Sequence, residues 1–341
     1  MSMALTMMRH LLGLKECPRL QGIEMKYKLW LLFVLIFWIQ GCDKPAPSTI
    51  KIAINPWPGY EFLYLAEKKG FFEKVGLNVK LIQLVSLADA QRAYINNQVD
   101  GFASTIIEAV QAEPLGGKPL KVVLVPDYSN GGDVILANKS IESMSDLKGR
   151  VVGAEVSSLG IYVLQRALTK SNMSLSDVTV LNVEQSDGER EIKAGNIDAF
   201  VTYPPVSVKM LKLEGVHKIF TSAQIPNEII DTVSLSQDAI DRNPGVVKKL
   251  HQAWQMALDY AENNKEEAYT LMATREGISK EEFQDVLSDL MVLNAMDQKK
   301  LFETSDILQQ SVRSVCETLV HVNSIEVSCD KYPDIIYRQG I

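Results

Sequence analysis

The sequence predicts an α/β protein with two lobes, each a mainly parallel sheet flanked by helices. Three observations support this fold class. The chain repeats a pattern at an offset of about 100 residues, each copy alternates strands with helices, and a turn-rich segment separates the copies. The 341 residues suffice for two domains of about 150 residues each.

The repeat is clearest in two stretches that align residue by residue. RAYINNQVDGFAST begins at Arg92 and REIKAGNIDAFVTY begins at Arg190. Upstream, IKIAINPWPGY from Ile50 matches the strand-then-loop pattern of RVVGAEVSSLG from Arg150. This offset exceeds the period of solenoid repeats and therefore indicates two equivalent domains. Because ligands of open α/β sheets bind beyond the carboxyl ends of the strands, two such lobes facing each other would form a cleft.

A segment between the copies is expected to cross from one lobe to the other. Two apolar runs, 122–125 and 134–137, flank Pro126 and the pair Gly131-Gly132, so the chain cannot continue there as one strand. An ordinary surface loop is the alternative. A second crossing is predicted at 225–231. Lobe 1 would then comprise 50–126 and 231–341 and lobe 2 would comprise 127–230, with two hinge crossings.

The elements follow in order. Lobe 1 is predicted to contain strands 50–54, 79–85, 101–104 and 122–125 and helices 62–69, 89–96 and 106–112. Lobe 2 is predicted to contain strands 134–137, 150–153, 178–183, 199–201 and 218–221 and helices 161–170 and 188–194. An apolar stripe that includes Val246, Leu250 and Trp254 starts a series of C-terminal helices packed on lobe 1, which continues at 266–274, 279–290 and 304–322.

The amino terminus carries a targeting pattern over residues 1–41. Lys26 and Lys28 precede eleven apolar residues, a run that suits a signal-peptide core and is too short to span a bilayer. Ile-Gln-Gly-Cys, ending at Cys42, resembles the lipobox of bacterial lipoproteins, in which the cysteine is acylated. Asp43 resembles their inner-membrane retention signal. Residues 42–49 would be a tether, and Met25 is an alternative start.

Composition limits the function. The formal charge is −7 with no basic run, which argues against nucleic-acid binding. The four His residues are scattered, and neither a zinc site nor a catalytic motif is recognisable, so we expect no enzyme, metal or cofactor. Cys316 and Cys329 are left over in an oxidising compartment, where they form either a disulfide or two separate thiols.

The loop after the first strand is the sharpest site candidate. Trp57 and Tyr60, held by Pro and Gly, could stack on a flat ligand, although a packed loop is the alternative. Hydroxyls and free N–H groups at Ser157 and Ser158 could hold a carboxylate or sulfonate, or could simply cap a helix. The other candidates lie at strand ends or at the crossing: Thr105, Asp127, Asp133 and Tyr203. The two Asp residues could pair with a ligand amine or make turns.

Four motifs resemble a known family: NPWPGYE from Asn55, DYSNGGD from Asp127, DLKGRVVG from Asp146 and GNIDA from Gly195. They are similar to the solute-binding lipoproteins of bacterial ABC importers, nearest to the nitrate, taurine and aliphatic-sulfonate type, which includes binding proteins for thiamine-pyrimidine precursors. The resemblance covers roughly residues 50–290. It implies a two-lobed periplasmic binding protein fold of type II, with the candidate residues above in the cleft loops.

The resemblance also implies a function. Such a protein is expected to be a monomer, anchored to the inner membrane in the periplasm, that closes on a small molecule and docks on a membrane permease. The candidate loops carry no Arg or Lys, so the sequence favours a nitrogenous or ring-bearing solute over a sulfonate-type one. A periplasmic sensor subunit that regulates a membrane signalling protein is the alternative, since it would use the same closure.

Overall fold

The computed structural model describes residues 48–332 and 334–339. The leader, Cys42 and the tether up to residue 47 lie outside the described residues. None of the described helices combines the length and the apolar character that crossing a bilayer requires.

Lobe 1 is built on a five-stranded mixed sheet. Across the sheet, the strands lie in the order β2 (Val79–Gln83), β1 (Ile50–Ile54), β3 (Gly101–Thr105), β11 (Asp231–Ser236) and β4 (Leu120–Leu124). Strand β1 pairs in parallel with β2 and β3, whereas β11 runs antiparallel to both of its neighbours. The associated helices are α1 (Glu61–Lys68), α2 (Phe71–Lys74), α3 (Leu87–Ile95) and α4 (Ile106–Ala112).

Lobe 2 repeats this arrangement. Its strands lie in the order β8 (Thr179–Asn182), β7 (Val151–Ala154), β9 (Ala199–Thr202), β6 (Val134–Ala137) and β10 (His217–Thr221). Strand β7 pairs in parallel with β8 and β9, and β6 runs antiparallel to both of its neighbours. The helices are α5 (Leu159–Lys170), α6 (Gly188–Ala194) and α7 (Val206–Met210). In each sheet the antiparallel strand is therefore the one that enters from the other lobe.

The repeated Asp has the same structural role in both lobes. The Asp100 carboxylate accepts the backbone N–H of Lys51 at 2.9 Å, and the Asp198 carboxylate accepts that of Val151 at 2.9 Å. Each Asp thereby fixes the start of one central strand, β1 or β7, to the turn before its parallel neighbour, β3 or β9. The aligned motif is thus explained by sheet construction and not by ligand binding.

The chain after β11 forms a helical extension on lobe 1. Its helices are α8 (Gln237–Arg242), α9 (Val246–Asn263), α10 (Lys265–Glu276), α11 (Lys280–Ser288), α12 (Ala295–Thr304) and α13 (Ile307–His321). Trp254 is fully buried and packs edge-to-face against Phe62 of α1, with ring centroids 5.6 Å apart. Cys316 and Cys329 are joined in a disulfide.

Two predicted segments differ from the structure. The crossing at 126–133 is not wholly loop, because β5 (Asp127–Ser129) pairs antiparallel with β12 (Leu290–Val292). The helix predicted over 279–290 therefore ends at residue 288, and α12 begins at Ala295, where no element was predicted. The strand pairing of β5 with β12 joins segments that are about 160 residues apart in the sequence. Such long-range pairing decides whether a short apolar run forms a strand, and local periodicity does not predict it.

Candidate functional site

A cavity lies between the two lobes, at the carboxyl ends of β1, β3 and β9. Its empty volume is about 190 Å³, counting its opening to solvent. The enclosed space within it is only about 10 Å³, room for about one water molecule, so the two lobes are packed against each other here. Lobe 1 and β11 supply Asn55, Trp57, Tyr60, Leu87, Thr105 and Asp231, and lobe 2 supplies Asp133, Leu159 and Tyr203.

Aromatic side chains from both lobes meet in this cavity. The rings of Trp57 and Tyr203 lie edge-to-face with centroids 6.1 Å apart. The phenolic oxygen of Tyr203 also accepts the backbone N–H of Leu87, at 3.3 Å, so lobe 2 contacts the start of a lobe 1 helix. Trp57 is only 4 % exposed and Tyr60 is fully buried. The rings thus pack into the protein, as the alternative predicts, and also line the cavity, while their stacking on a ligand stays a prediction.

Trp57 is held by the first crossing. Its indole N–H donates to both carboxylate oxygens of Asp127, each at 3.3 Å. Two glycines permit this approach. A Cβ on Gly59 would lie 1.7 Å from an Asp127 oxygen, and one on Gly132 would lie 2.8 Å from the Trp57 ring. Asp127 positions Trp57 but does not itself line the cavity.

The cavity floor is acidic. The Tyr60 hydroxyl donates to Asp231, which is 2 % exposed. Burial raises the pKa of Asp231 well above its ordinary value, and the charge of Asp127 raises it further. Burial likewise raises the pKa of Asp133 to about 7. Arg and Lys are absent from the residues that line the cavity. The site is thus suited to a ligand that brings positive charge or N–H donors.

Thr105 connects the cavity to a second buried acid. Its hydroxyl accepts the N–H of Ile107, and its own N–H and hydroxyl donate to Glu108 at 2.9 and 2.6 Å. This reciprocal pattern is a capping box at the start of α4. Glu108 also accepts the backbone N–H of Leu159, at 2.7 Å, which links lobe 1 to the first residue of α5 in lobe 2.

The predicted serines have smaller roles. Ser157 is exposed and Ser158 is buried, but neither is among the residues that line the cavity. The Ser158 hydroxyl donates to Glu155 at 3.3 Å, and burial raises the pKa of Glu155 to about 7. The neighbouring Leu159 lines the cavity in their place. Helix α5 therefore does begin at the site, as its position after a strand predicts.

Four lining residues are not among the site residues that the sequence predicts: Asn55, Leu87, Leu159 and Asp231. The sequence does contain a signal for Asp231, because an Asp marks the point at which the chain enters a sheet after each crossing. Asp133 directly precedes β6, and Asp231 is the first residue of β11. The repeat makes the two Asp residues equivalent. The apolar lining residues carry no such signal, since Leu at a helix start is indistinguishable from core.

Other features of the described residues give weaker support for a ligand site. A larger groove is lined by Val75, His251, Met256 and neighbouring residues, all of lobe 1 and its extension, so a ligand there would contact one lobe only. His251 is buried, its Nε2 lies 2.6 Å from the Val123 carbonyl oxygen, and burial lowers its pKa to about 4. Within residues 48–332 and 334–339, no cluster of His, Cys, Asp and Glu could hold a metal ion.

The fold and the shared cavity define a structural class, the two-lobed α/β proteins with a cavity between the lobes. A model of the NMT1/THI5-like family matches residues 57–268, and the chain belongs to that family. A binding protein of Brucella abortus is 25 % identical over 238 residues, covering 67 % of this chain and 70 % of that protein. Riboflavin-binding protein RibY of Chloroflexus aurantiacus is 26 % identical over 272 residues, covering 71 % and 76 %.

Solved structures have the same fold. The periplasmic aliphatic sulphonate binding protein SsuA from Escherichia coli superposes with a TM-score of 0.67 at 17 % identity, covering 85 % of this chain and 96 % of that one. The desulfurization enzyme DSZB superposes with a TM-score of 0.59 at 15 % identity, covering 84 % and 96 %. The predicted resemblance and the two-lobed fold of type II are thus confirmed, whereas the fold alone does not separate binding protein from enzyme.

Proposed function

We propose that the protein is the lipid-anchored periplasmic solute-binding component of an ABC importer, and that its lobes close on a small organic solute. The observation that carries this proposal is the cavity lined by both lobes, with Trp57 on one side and Tyr203 on the other. A solute that contacts both lobes binds the closed form more tightly than the open form, and so increases its population. Residues 127–230 would move as one body and 50–126 with 231–341 as the other.

The lining supports a nitrogenous, ring-bearing solute over a sulfonate. The aromatic rings of Trp57 and Tyr203 offer stacking surfaces, and Asp133 and Asp231 offer acceptors for N–H donors. RibY is named for riboflavin, which is a nitrogenous ring system, whereas SsuA is named for sulphonates. A sulfonate would meet two buried carboxyl groups here. The lining hydroxyls that lie beside acids, those of Thr105 and Tyr60, are buried within the fold, which supports binding without catalysis.

The importer role implies a location and a partner. Lipid on Cys42 would hold the protein at the inner membrane, beside the permease that receives the solute. In cells fractionated after expression of Cys42→Ala, we expect the protein to leave the membrane pellet for the soluble fraction. The unchanged protein should stay in the pellet. A variant that remains in the pellet with its leader removed would contradict anchoring through Cys42.

A thermal-shift screen of amines, sulfonates, pyrimidines and amino acids tests the proposed function. A bound compound at a hundredfold excess over Kd stabilises the folded state by about 2.7 kcal/mol. Small-angle scattering with and without the best compound should show a more compact particle, because the lobes close. Failure of all four compound classes, or binding without compaction, would argue against the proposal.

Trp57→Phe is the matching variant, because Trp57 is nearly buried and Ala would also leave a hole in the core. Phe retains most of the packing but loses the indole N–H that donates to Asp127. We expect Kd to rise at least several-fold in calorimetry. Leu115→Ala, at an exposed position of lobe 1 outside the cavity, is the control and should leave Kd unchanged.

A further inference from the structure

Glu108 is a lobe 1 side chain that occupies a lobe 2 helix start. It is fully buried, and both of its carboxylate oxygens are engaged. One accepts the N–H and hydroxyl of Thr105, and the other accepts the N–H of Leu159 at 2.7 Å. The residue therefore has a local role in capping α4 and a separate role across the cavity.

The helix start that Glu108 occupies has no acidic residue in its own first turn, and the lobe 2 acid nearest in sequence, Glu155, accepts the Ser158 hydroxyl. The positive end of a helix dipole and its unpaired N–H groups make a ready anion-binding site. Helix α5 has no acidic residue in its first turn. Ser158 stands at its N-cap but makes no side-chain cap, since its hydroxyl donates to Glu155 instead. The carboxylate from the other lobe thus takes the place at which an anionic ligand would bind α5.

The side of the cavity that remains open to a ligand is acidic. Asp133 and Asp231 are 1 % and 2 % exposed, and both line the cavity. One carboxylate oxygen of each, Oδ2, has no hydrogen-bond partner among the described residues. A buried carboxylate oxygen without a donor is costly, so a ligand that supplies N–H groups or positive charge would satisfy both of these oxygens.

Building on the proposed function, we propose that the solute is a small cation with at least two N–H groups, such as an amidinium or a protonated amino-heterocycle. Its N–H groups donate to Asp133 and Asp231. Glu108 determines this specificity by acting as a built-in anion, because it fills the helix start and repels carboxylates and sulfonates. Closure then completes two contacts at once, the solute on the Asp pair and Glu108 on α5.

The first test asks two separate questions, whether the protein binds any small solute and whether that solute is a cation. Deproteinised yeast extract is divided by ion exchange into cationic, neutral and anionic fractions, and each is added to the wild-type protein in a thermal-shift assay. Stabilisation by the cationic fraction alone is expected. Stabilisation by the neutral or anionic fraction would overturn the inference and leave the proposed function intact. No stabilisation by any fraction would count against both.

The second test is chemical rescue of the helix start. Glu108→Ala removes the built-in carboxylate, so sodium acetate should stabilise this variant in a saturable way, with at least a tenfold lower half-maximal concentration than in the wild type. Sodium chloride at matched ionic strength controls for salt. Glu189→Ala removes an exposed acid of lobe 2 and should respond like the wild type.

Glu108→Gln guards against a variant that fails to fold. It keeps the shape and an oxygen that accepts the Leu159 N–H, but it loses the charge and the second oxygen, which accepts from Thr105. We expect at least tenfold weaker binding of the stabilising cationic fraction, measured as the fraction concentration that gives half of the maximal shift. Equal responses of Glu108→Ala and wild type to acetate, or unchanged cation binding by Glu108→Gln, would overturn the role of Glu108.

Discussion

The two copies of the repeat begin their first helices in different ways. In lobe 1, α1 carries its own acid, Glu61, which is fully buried and is paired with Arg275 from the helical extension. In lobe 2, the equivalent helix α5 has no acid in its first turn and accepts Glu108 from the opposite lobe. One helix start is thus completed within its own lobe, and the other is completed only across the cavity.

Because of this difference, we expect the lobe 1 pair to affect mainly the stability of the fold and the lobe 2 contact to affect mainly the response to ligand. Neither Glu61 nor Arg275 lines the cavity, and the pair joins two parts of one body. The Glu108–Leu159 contact joins the two bodies that are proposed to move. The same sheet construction therefore supports a fixed lobe, reinforced by the extension, and a lobe whose position depends on closure.

The largest expected effect comes from breaking the lobe 1 pair. Arg275→Met leaves the buried Glu61 without its guanidinium, and Glu276 beside it already has two carboxylate oxygens without a partner among the described residues. Burial raises the pKa of Glu61, and Arg275 opposes that shift. Loss of one partner of a buried pair costs about 3–5 kcal/mol. Urea unfolding should show a loss of this size.

Arg190→Met is the control for that experiment. Arg190 is 67 % exposed and pairs with acids of lobe 2 at the surface, where ion pairs contribute about 0–1 kcal/mol. If Arg275→Met and Arg190→Met lost the same small amount of stability, the buried Glu61–Arg275 pair would contribute no more than a surface pair. The proposed reinforcement of the lobe 1 helix start would then be wrong.

Removal of the disulfide is expected to have the next largest effect on stability. It tests whether the helical extension stabilises lobe 1 without affecting solute binding. Cys316 and Cys329 are 13 positions apart in the sequence, and neither lines the cavity. In the chain-entropy model such a crosslink stabilises by about 3 kcal/mol. We expect the double variant Cys316→Ser, Cys329→Ser to unfold at lower urea concentration but to bind solute with unchanged Kd.

A thiol assay provides the matching check on the disulfide. The two cysteines should resist alkylation in the native protein and should react after reduction. Immediate labelling without reductant, or a changed Kd in the double variant, would contradict an extension that only reinforces lobe 1.

Much of the scaffold was visible in the chain because the repeat encodes it. The motif around Arg92 and Arg190 predicted two equivalent sheets, and both Asp residues of that motif prove to fix strand starts. Trp57, Thr105, Asp133 and Tyr203 were placed at strand ends or crossings, and the structure brings them to one cavity. Local patterns suffice wherever the sheet topology alone positions a residue.

The rest depends on contacts between distant segments. Glu108 stands three residues after Thr105, and this spacing predicts a capping box, but nothing local shows that its second oxygen reaches Leu159 in the other lobe. The pairing of β5 with β12 is equally remote, with Asp127 opposite Val292. Sequence periodicity reports which face of an element is apolar, and it does not report which element lies opposite.

The smallest expected effect is a change in the pH dependence of stability. It tests whether the cavity acids lack a partner in the ligand-free protein, whereas Glu61 is paired with Arg275. Asp133 is faced by Glu108, Asp127 and Asp231, and burial raises its pKa to about 7 from the ordinary value near 4. Between these values the folded protein binds more protons than the unfolded chain, so stability falls as pH rises toward 7 and levels off above it. Asp133→Asn removes this proton uptake.

Relative to the wild type, Asp133→Asn should therefore gain stability between pH 5 and pH 8, by on the order of 2 kcal/mol in ligand-free protein. Urea unfolding at pH 5, 6, 7 and 8 measures the difference. Asp187→Asn, at a half-exposed position of lobe 2, should keep a constant offset from the wild type over the same range. A constant offset for Asp133→Asn as well would mean that the charge of Asp133 is already compensated within the protein, as that of Glu61 is by Arg275, and the two lobes would then no longer differ in their readiness for a cation.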